Sequence, residues 1–239
     1  MKILTTFYKM KKGGYYFRFK MMLEALLDAN ITVHYVAAEP FNLTNKNLIP
    51  HILPNPFKSY GMFFKAYMLI VAPFFCLSVA KREKVDILIS FGTLYAFIHW
   101  ACKIFKKIPM ITFIRMDSSS ELILEGYSPL SVWINKLIEV IGIRLSNKII
   151  TVNSHLKEQI LTRFNKKENQ ITILYNNINV PSPKVLSPKS IPIFKNKGFR
   201  LVSASVMNRR KNWELLLQVM LRLNKEEVSL FLIGDTFNP

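Results

Sequence analysis

VDILISFGTLYAFIHWACKIFKKIPMITFI, residues 85–114, decides the fold. Val85–Ser90 and Pro109–Ile114 are short, continuous apolar runs, and Thr93–Lys107 between them carries a helical pattern. A strand that is apolar on both sides needs a sheet covered on both faces, and strands joined by helices run parallel. The same rhythm continues towards the N-terminus. Lys2–Thr6 reads as a strand, Gly13-Gly14 as a turn, and the next stretch as a helix with Phe19, Met22, Leu23, Leu26 and Leu27 on one face. Ile31–Ala37 reads as a second strand, and residues 40–60, with Pro40, Pro50, Pro54 and Pro56, as mostly loop. An apolar helix is predicted over about 61–83.

Towards the C-terminus the polar stretch Arg115–Ser128 reads as a loop, followed by a helix at about 129–146. Lys148–Val152 is a strand, Ser154–Phe164 a helix and Ile171–Leu174 a strand. Asn176–Gly198 breaks the pattern with Pro181, Pro183, Pro188 and Pro192 and reads as a linker. A second β-α-β unit then begins. Phe199–Ser205 is its first strand, a helix from about Lys211 carries Trp213, Leu216, Leu217, Met220 and Leu223 on one face, and Val228–Ile233 is its next strand. The expected organisation is an α/β protein with a Rossmann-type parallel-sheet domain at 1–180, a linker at 181–198 and the start of a second such domain at 199–239. Two strands and one helix cannot bury a sheet on both faces, so the second unit reads as unfinished.

Composition narrows the function. Of 239 residues, half are hydrophobic and 13% aromatic, which excludes disordered and fibrous classes. Lys plus Arg number 33 against 15 Asp plus Glu, a net charge of +18 that calls for an anionic partner: nucleic acid, an acidic membrane surface or a phosphorylated ligand. No RNA-binding signature, basic heptad region or zinc ligand spacing is present. Cys76 and Cys102 lie in apolar runs and read as free buried thiols. The N-terminus has too short an apolar run for a signal peptide. Ala66–Ala80 is shorter than the roughly 20 residues a membrane span needs and holds Pro73, so it reads as a buried helix. Its flanking Lys58, Lys65, Lys81 and Arg82 also suit a helix lying on anionic lipid.

In open parallel sheets ligands bind beyond the carboxyl ends of the strands. The first such loop holds Lys9, Lys11, Lys12, Gly13 and Gly14 before a helix, and reads either as a phosphate site or as a plain turn with solvated lysines. It matches neither G-x-G-x-x-G nor the P-loop pattern. After Ile114, Arg115 and Asp117, with Ser118, Glu121 and Glu125, either position a polar substrate or pair with each other at the sheet edge. Ser154 reads as a helix N-cap or a ligand contact. Arg209, Arg210 and Lys211 at the turn of the second unit fit a diphosphate or a solvated cationic face. His34, His51, His99 and His155 show no ligand spacing and read as structural, so no metal is expected. With no nucleophile elbow, the inventory favours stabilisation of a leaving group by cations and backbone dipoles.

The order of these segments resembles the retaining glycosyltransferases of family 4, which have the GT-B architecture. GGYYFRFKMMLEALLDANITVHYVAAEP resembles that family's first strand-to-helix unit and second strand, VDILISFG and IPMITFIRMD its middle strands, and SNKIITVNSHLKEQILTRF a later strand and helix. ITILYNNINV resembles its proline-asparagine-glycine-hydrophobic-aspartate run, with Asn177 and Asn179 as departures. FRLVSASVMNRRKNWELLL and VSLFLIGD resemble the opening of its nucleotide-binding domain. The resemblance implies transfer of a sugar from a nucleotide-diphosphate donor to an acceptor with retention and without a metal or other cofactor. Donor diphosphate contacts would fall on Gly13, Gly14, Lys211 and Arg210. Arg209 or Arg210 would stand in for a family arginine replaced here by Ser205. Arg115 and Asp117 match the position of a family histidine near the reacting sugar. Lys12, Ser154 and Asn176 are expected on the acceptor side or in the cleft.

The expected partners are a nucleotide sugar, a glycan or lipid-linked acceptor of the cell envelope and an anionic membrane surface, with no specific nucleic acid. The expected location is cytoplasmic, peripheral at the inner face of the membrane. The family's paired glutamates would lie beyond residue 239, so on the order of 100–150 residues are expected to be missing. The alternatives are a truncated, non-catalytic relative and a basic nucleic-acid-binding α/β protein.

Overall fold

Ile3, Leu4, Thr5 and Thr6 are all buried, consecutive residues with both faces of their strand covered. The computed structural model describes residues 1–7, 14–57, 61–175, 199–204, 211–223 and 228–234. In chain order β1 (Lys2–Thr6), α1 (Gly14–Asp28), β2 (Thr32–Ala37) and β3 (Leu48–Ile52) come first. Then follow α2 (Met62–Glu83), β4 (Ile87–Phe91), α3 (Thr93–Ile98), α4 (Trp100–Lys106) and β5 (Met110–Ile114). α5 (Ser118–Leu124), α6 (Pro129–Leu145), β6 (Lys148–Thr151), α7 (Ser154–Phe164), a single 3-10 turn (Glu168–Gln170) and β7 (Ile171–Ile173) complete the series.

These seven strands form one sheet in the order β3-β2-β1-β4-β5-β6-β7, every neighbouring pair parallel. The chain first builds outward from β1 to β3, then returns to β4 and builds the other way. That reversal, between β1 and β4, is the switch point at which doubly wound sheets open a crevice at the carboxyl ends of their strands. α1 buries Phe19, Leu23 and Leu27, the face its sequence predicts. α2 buries Phe64, Met68, Ala72, Cys76, Val79 and Ala80 in the main core and leaves Phe63, Ile70 and Phe74 exposed. By length and composition alone, Phe63–Glu83 is long and apolar enough to cross a membrane. Cys76 and Cys102 are free and buried, and burial pushes the Cys76 thiol up to about 12.

Three elements differ from the sequence reading. β3 lies within the stretch read as loop. Pro50 sits in it opposite Tyr35, and an edge strand tolerates proline because one of its sides has no partner. The helix expected at 93–107 is broken at His99 into α3 and α4. α5 forms within the expected polar loop after β5.

The chain divides into two units, Met1–Ser119 with Val132–Asn176, and Ser120–Ser131 with Asn177–Pro239. In the second, β8 (Phe199–Ala204) and β9 (Val228–Ile233) pair in parallel, and α8 (Trp213–Leu223) lies between them in sequence. No residue of α8 is buried, and Leu215, Leu217 and Leu221 are exposed. The expected linker 181–198 lies outside the described residues.

Candidate functional site

The carboxyl ends of β1, β4 and β5 carry an aromatic shelf. Phe7, just past β1, stacks on Phe19 at 4.5 Å, on Tyr15 at 5.6 Å and on Tyr95 at 5.8 Å between ring centroids. Tyr15 meets Phe91 edge-on at 4.9 Å. Gly92, which ends β4, has φ +118°, and a Cβ there would stand 2.9 Å from the Tyr15 hydroxyl oxygen. Only glycine takes this backbone conformation without strain, and only glycine leaves the tyrosine in place.

Arg115 follows β5 directly and lies against this shelf. Its guanidinium carbon is 5.8 Å from the centre of the Tyr15 ring and 5.7 Å from that of Phe91, within cation–π range. Its Nε is buried, and among the described residues no acceptor reaches it. Burial and the neighbouring Arg18 push its pKa below the ordinary arginine range, while Tyr15 pulls it back up. Arginine remains a cation under such shifts, so the arrangement is a half-buried positive charge with an unspent Nε donor. Gly14 opens α1 on the same unit, and a Cβ added to it would meet nothing within 4 Å among the described residues. Lys12 and Gly13 lie outside the described residues.

Beneath the switch point a buried polar group ties the two central strands together. His99 Nε2 is 2.9 Å from Thr6 Oγ1 of β1, and Nδ1 is 2.8 Å from Ser90 Oγ of β4. Either hydroxyl can donate or accept, so one neutral imidazole is satisfied at both ends. Burial lowers its pKa to about 3. The structural reading of this histidine holds, with its partners drawn from two separate strands.

Asp117 does not pair with Arg115. Arg163 of α7 donates from Nη1 to Asp117 Oδ2 at 2.6 Å, so the carboxylate is held by a helix that enters much later in the chain. Nearby Ser119 Oγ donates to Glu139 Oε2 at 2.6 Å, and Asn135 Nδ2 donates to Ser119 Oγ at 3.3 Å. Burial pushes the Glu139 carboxyl up and the Asp117 charge adds to this, while Ser119, Arg163 and Lys136 pull it down. The sequence reading missed Glu139. Its signal was available: it falls on the helical stripe set by Val132, Gly142 and Ile143, where an apolar residue belongs.

The α7 cap is Asn153, whose Oδ1 accepts from Leu156 N at 2.8 Å. Ser154 is the first helical residue and is exposed, so the capping role read for it belongs to its neighbour. Of the donor-site cations, Lys211 lies in the second unit, two residues before α8 begins, and is exposed. Arg209, Arg210 and Asn176 lie outside the described residues. The structure thus brings Gly14 and Arg115 to one end of one sheet and places Asp117 in an ion pair beside it.

Residues 14–180 match the family described as Glycosyltransferase Family 4. The chain belongs to this family. Its first unit is the Rossmann-type sheet domain of the GT-B fold. Sucrose-phosphate synthase from Thermosynechococcus elongatus has the same fold, with a TM-score of 0.73 and 15% identity, over 99% of this chain and 63% of that one. Anabaena HepE in complex with UDP-glucose is similar with a TM-score of 0.68 and 14% identity, over 100% of this chain and 62% of that one. The lipopolysaccharide outer core galactosyltransferase WaaB in its apo form gives 0.63 and 15%, over 100% and 62%. At these identities the likeness is one of fold. The family member described here spans less than two thirds of the length of these structures. No curated protein sequence matches it.

Proposed function

We propose that the chain is the sheet domain and nucleotide-site opening of a retaining glycosyltransferase that moves a sugar from a nucleotide-diphosphate donor to an envelope glycan or lipid-linked acceptor. The observation that carries this reading is Arg115, a half-buried cation with an unpartnered Nε on an aromatic shelf at the switch point of a family 4 sheet. A desolvated guanidinium suits the charge that develops as a diphosphate leaves. In the proposed reaction the bond from the anomeric carbon to the phosphate oxygen breaks, and its electron pair goes to the leaving diphosphate. The acceptor hydroxyl oxygen bonds to the same face of that carbon, and its proton passes to the departing phosphate oxygen.

Arg115 is placed to hold charge near the reacting sugar. Asp117, held by Arg163, is assigned with Arg115 to the reacting sugar. Gly14 offers the N-terminus of α1 to the diphosphate, and Gly13, Arg209, Arg210 and Lys211 are assigned to the donor diphosphate by the family resemblance. Lys12, Ser154 and Asn176 are assigned to the acceptor side. The UDP-glucose bound in the similarly folded HepE and the outer-core acceptor in the name of WaaB support a UDP-sugar donor and an envelope acceptor.

The net charge of +18 and the exposed Phe63, Ile70 and Phe74 beside Lys65 and Lys81 support peripheral attachment at the inner, anionic face of the cytoplasmic membrane. The direct test follows the anomeric proton of UDP-glucose by NMR in the presence of the chain and envelope glycolipid. The expected outcome is release of UDP with an α-linked product. A β-linked product removes retention, and donor left intact by a folded chain removes the transfer reading.

A further inference from the structure

Away from the crevice, two histidines meet across neighbouring strands. His34 lies in β2 and His51 in the edge strand β3, 1% and 9% exposed. Their rings lie 5.3 Å apart at 21°, with Nδ1 of His34 3.0 Å from Nε2 of His51. Glu83, the last residue of α2, completes the group, and one ligand atom from each of the three lies within 4.8 Å of the others.

Hydrogen bonding among protein groups leaves this pair unfinished. Arg82 Nη2 can only donate, so at 3.0 Å it makes His51 Nδ1 an acceptor and puts the His51 proton on Nε2. That proton points at His34 Nδ1, which leaves the His34 proton on Nε2. His34 Nε2 is buried with no partner among the described residues. Two buried imidazoles on rigid strands are held close, and their facing nitrogens, His34 Nδ1 and His51 Nε2, share a single proton.

We infer that His34, His51 and Glu83 form a site for a divalent transition-metal cation of the zinc class, with water completing its coordination. Two imidazoles and a carboxylate are a donor set that such cations take. Two nitrogens on one tetrahedral zinc stand roughly 3.3 Å apart, so the pair opens by a few tenths of an ångström and each ring, now aimed at the other along the hydrogen bond, turns by roughly 35° so that both lone pairs converge on the ion. On binding, the His51 proton moves from Nε2 to Nδ1 and Arg82 turns away. Its side chain is 62% exposed and free to do so. Glu83, now paired with Arg82 at 2.8 Å, transfers its carboxylate to the cation. Lys2, whose Nζ donates to the Glu83 carbonyl, and Arg82 are the cations that oppose binding. The site joins β2 and β3 to the end of α2 and is separate from the sugar-transfer crevice, so its role is to staple the sheet edge.

The test titrates the chelator-treated full chain with Co(II) alone and reads visible d–d absorption, then adds Zn(II) and follows thermal unfolding. The expected result is saturation at one Co(II) per chain, displacement by Zn(II) and a higher Tm with Zn(II). Glu83→Gln and His51→Gln should each weaken binding by about tenfold or more, while the exposed His155→Gln leaves it unchanged. Glu83 is only partly buried, so its variant keeps the assay readable if His51→Gln fails to fold. No saturable absorption in the folded chain, or equal binding in Glu83→Gln, overturns the inference.

Discussion

His99 shows how a single residue sets the acid limit of this fold. It is fully buried and neutral between Thr6 and Ser90, with its pKa lowered to about 3 by burial. In the unfolded chain an imidazole titrates at its ordinary value of 6.5. The unfolded state therefore binds a proton that the folded state refuses. The contribution of His99 is fully present above pH 6.5 and is lost as pH falls from there towards 3, by about 1.4 kcal/mol per pH unit. His34 and His51, also lowered by burial, act in the same direction. Urea midpoints measured between about pH 7 and pH 5 should show a shallower acid slope in His99→Gln than in the parent, by up to about 1.4 kcal/mol per unit. Equal slopes would mean that His99 charges without unfolding the core. Local pattern identifies this histidine as structural but cannot name its partners, because they come from β1 and β4, far away in sequence. Asp117 is the same case: adjacency suggested Arg115, and the fold supplies Arg163.

At the scale of elements, α2 does two jobs with one sequence. Its inward face fills the core, and its outward face presents Phe63, Ile70 and Phe74, the last edge-on to Trp100 at 5.5 Å. Ile104 and Phe105 of α4 are exposed as well, with Lys106 and Lys107 beside them. Burying a large apolar side chain in lipid is worth about 1.5–3 kcal/mol at most, and each basic residue near an anionic surface about 1 kcal/mol. Phe63→Ser with Ile70→Ser should therefore reduce flotation with phosphatidylglycerol vesicles about tenfold or more, with little retention on phosphatidylcholine. Unchanged flotation would assign that face to another contact.

The helix itself was legible because its apolar run is long. β3 was not, because Pro50 and its neighbouring prolines carry the signature of a loop, and only pairing with β2 makes Leu48–Ile52 a strand. The α3–α4 break was hidden for a related reason. Thr93–Lys107 is helical throughout by pattern, and the interruption comes at His99, whose ring is held by two strands.

At the scale of the whole molecule, apolar runs separated by helices were enough to predict a parallel sheet covered on both faces, because only such burial explains strands such as Val85–Ser90. The switch point follows from strand order, which no local pattern encodes. The site was legible in part. Gly14 and Arg115 come from loops that parallel-sheet physics singles out, whereas Glu139 hides within an apolar helix and the His34–His51 pair joins residues with no ligand spacing between them. The second unit pairs β8 with β9 and leaves its apolar side chains exposed, while the chain spans 62–63% of the length of the similar structures described above.

If the proposed function holds, Arg115 and the N-terminus of α1 meet the diphosphate of a nucleotide sugar at the switch point of the seven-stranded sheet. Calorimetric titration of the chain with UDP-glucose, UDP, GDP and NAD tests it most directly. The account predicts saturable binding of a nucleotide sugar and no binding of NAD. Arg115→Ala should weaken it about 10- to 100-fold, the worth of a hydrogen bond to a charged group. A folded chain that binds none of these ligands, or binds them equally well without Arg115, would contradict it.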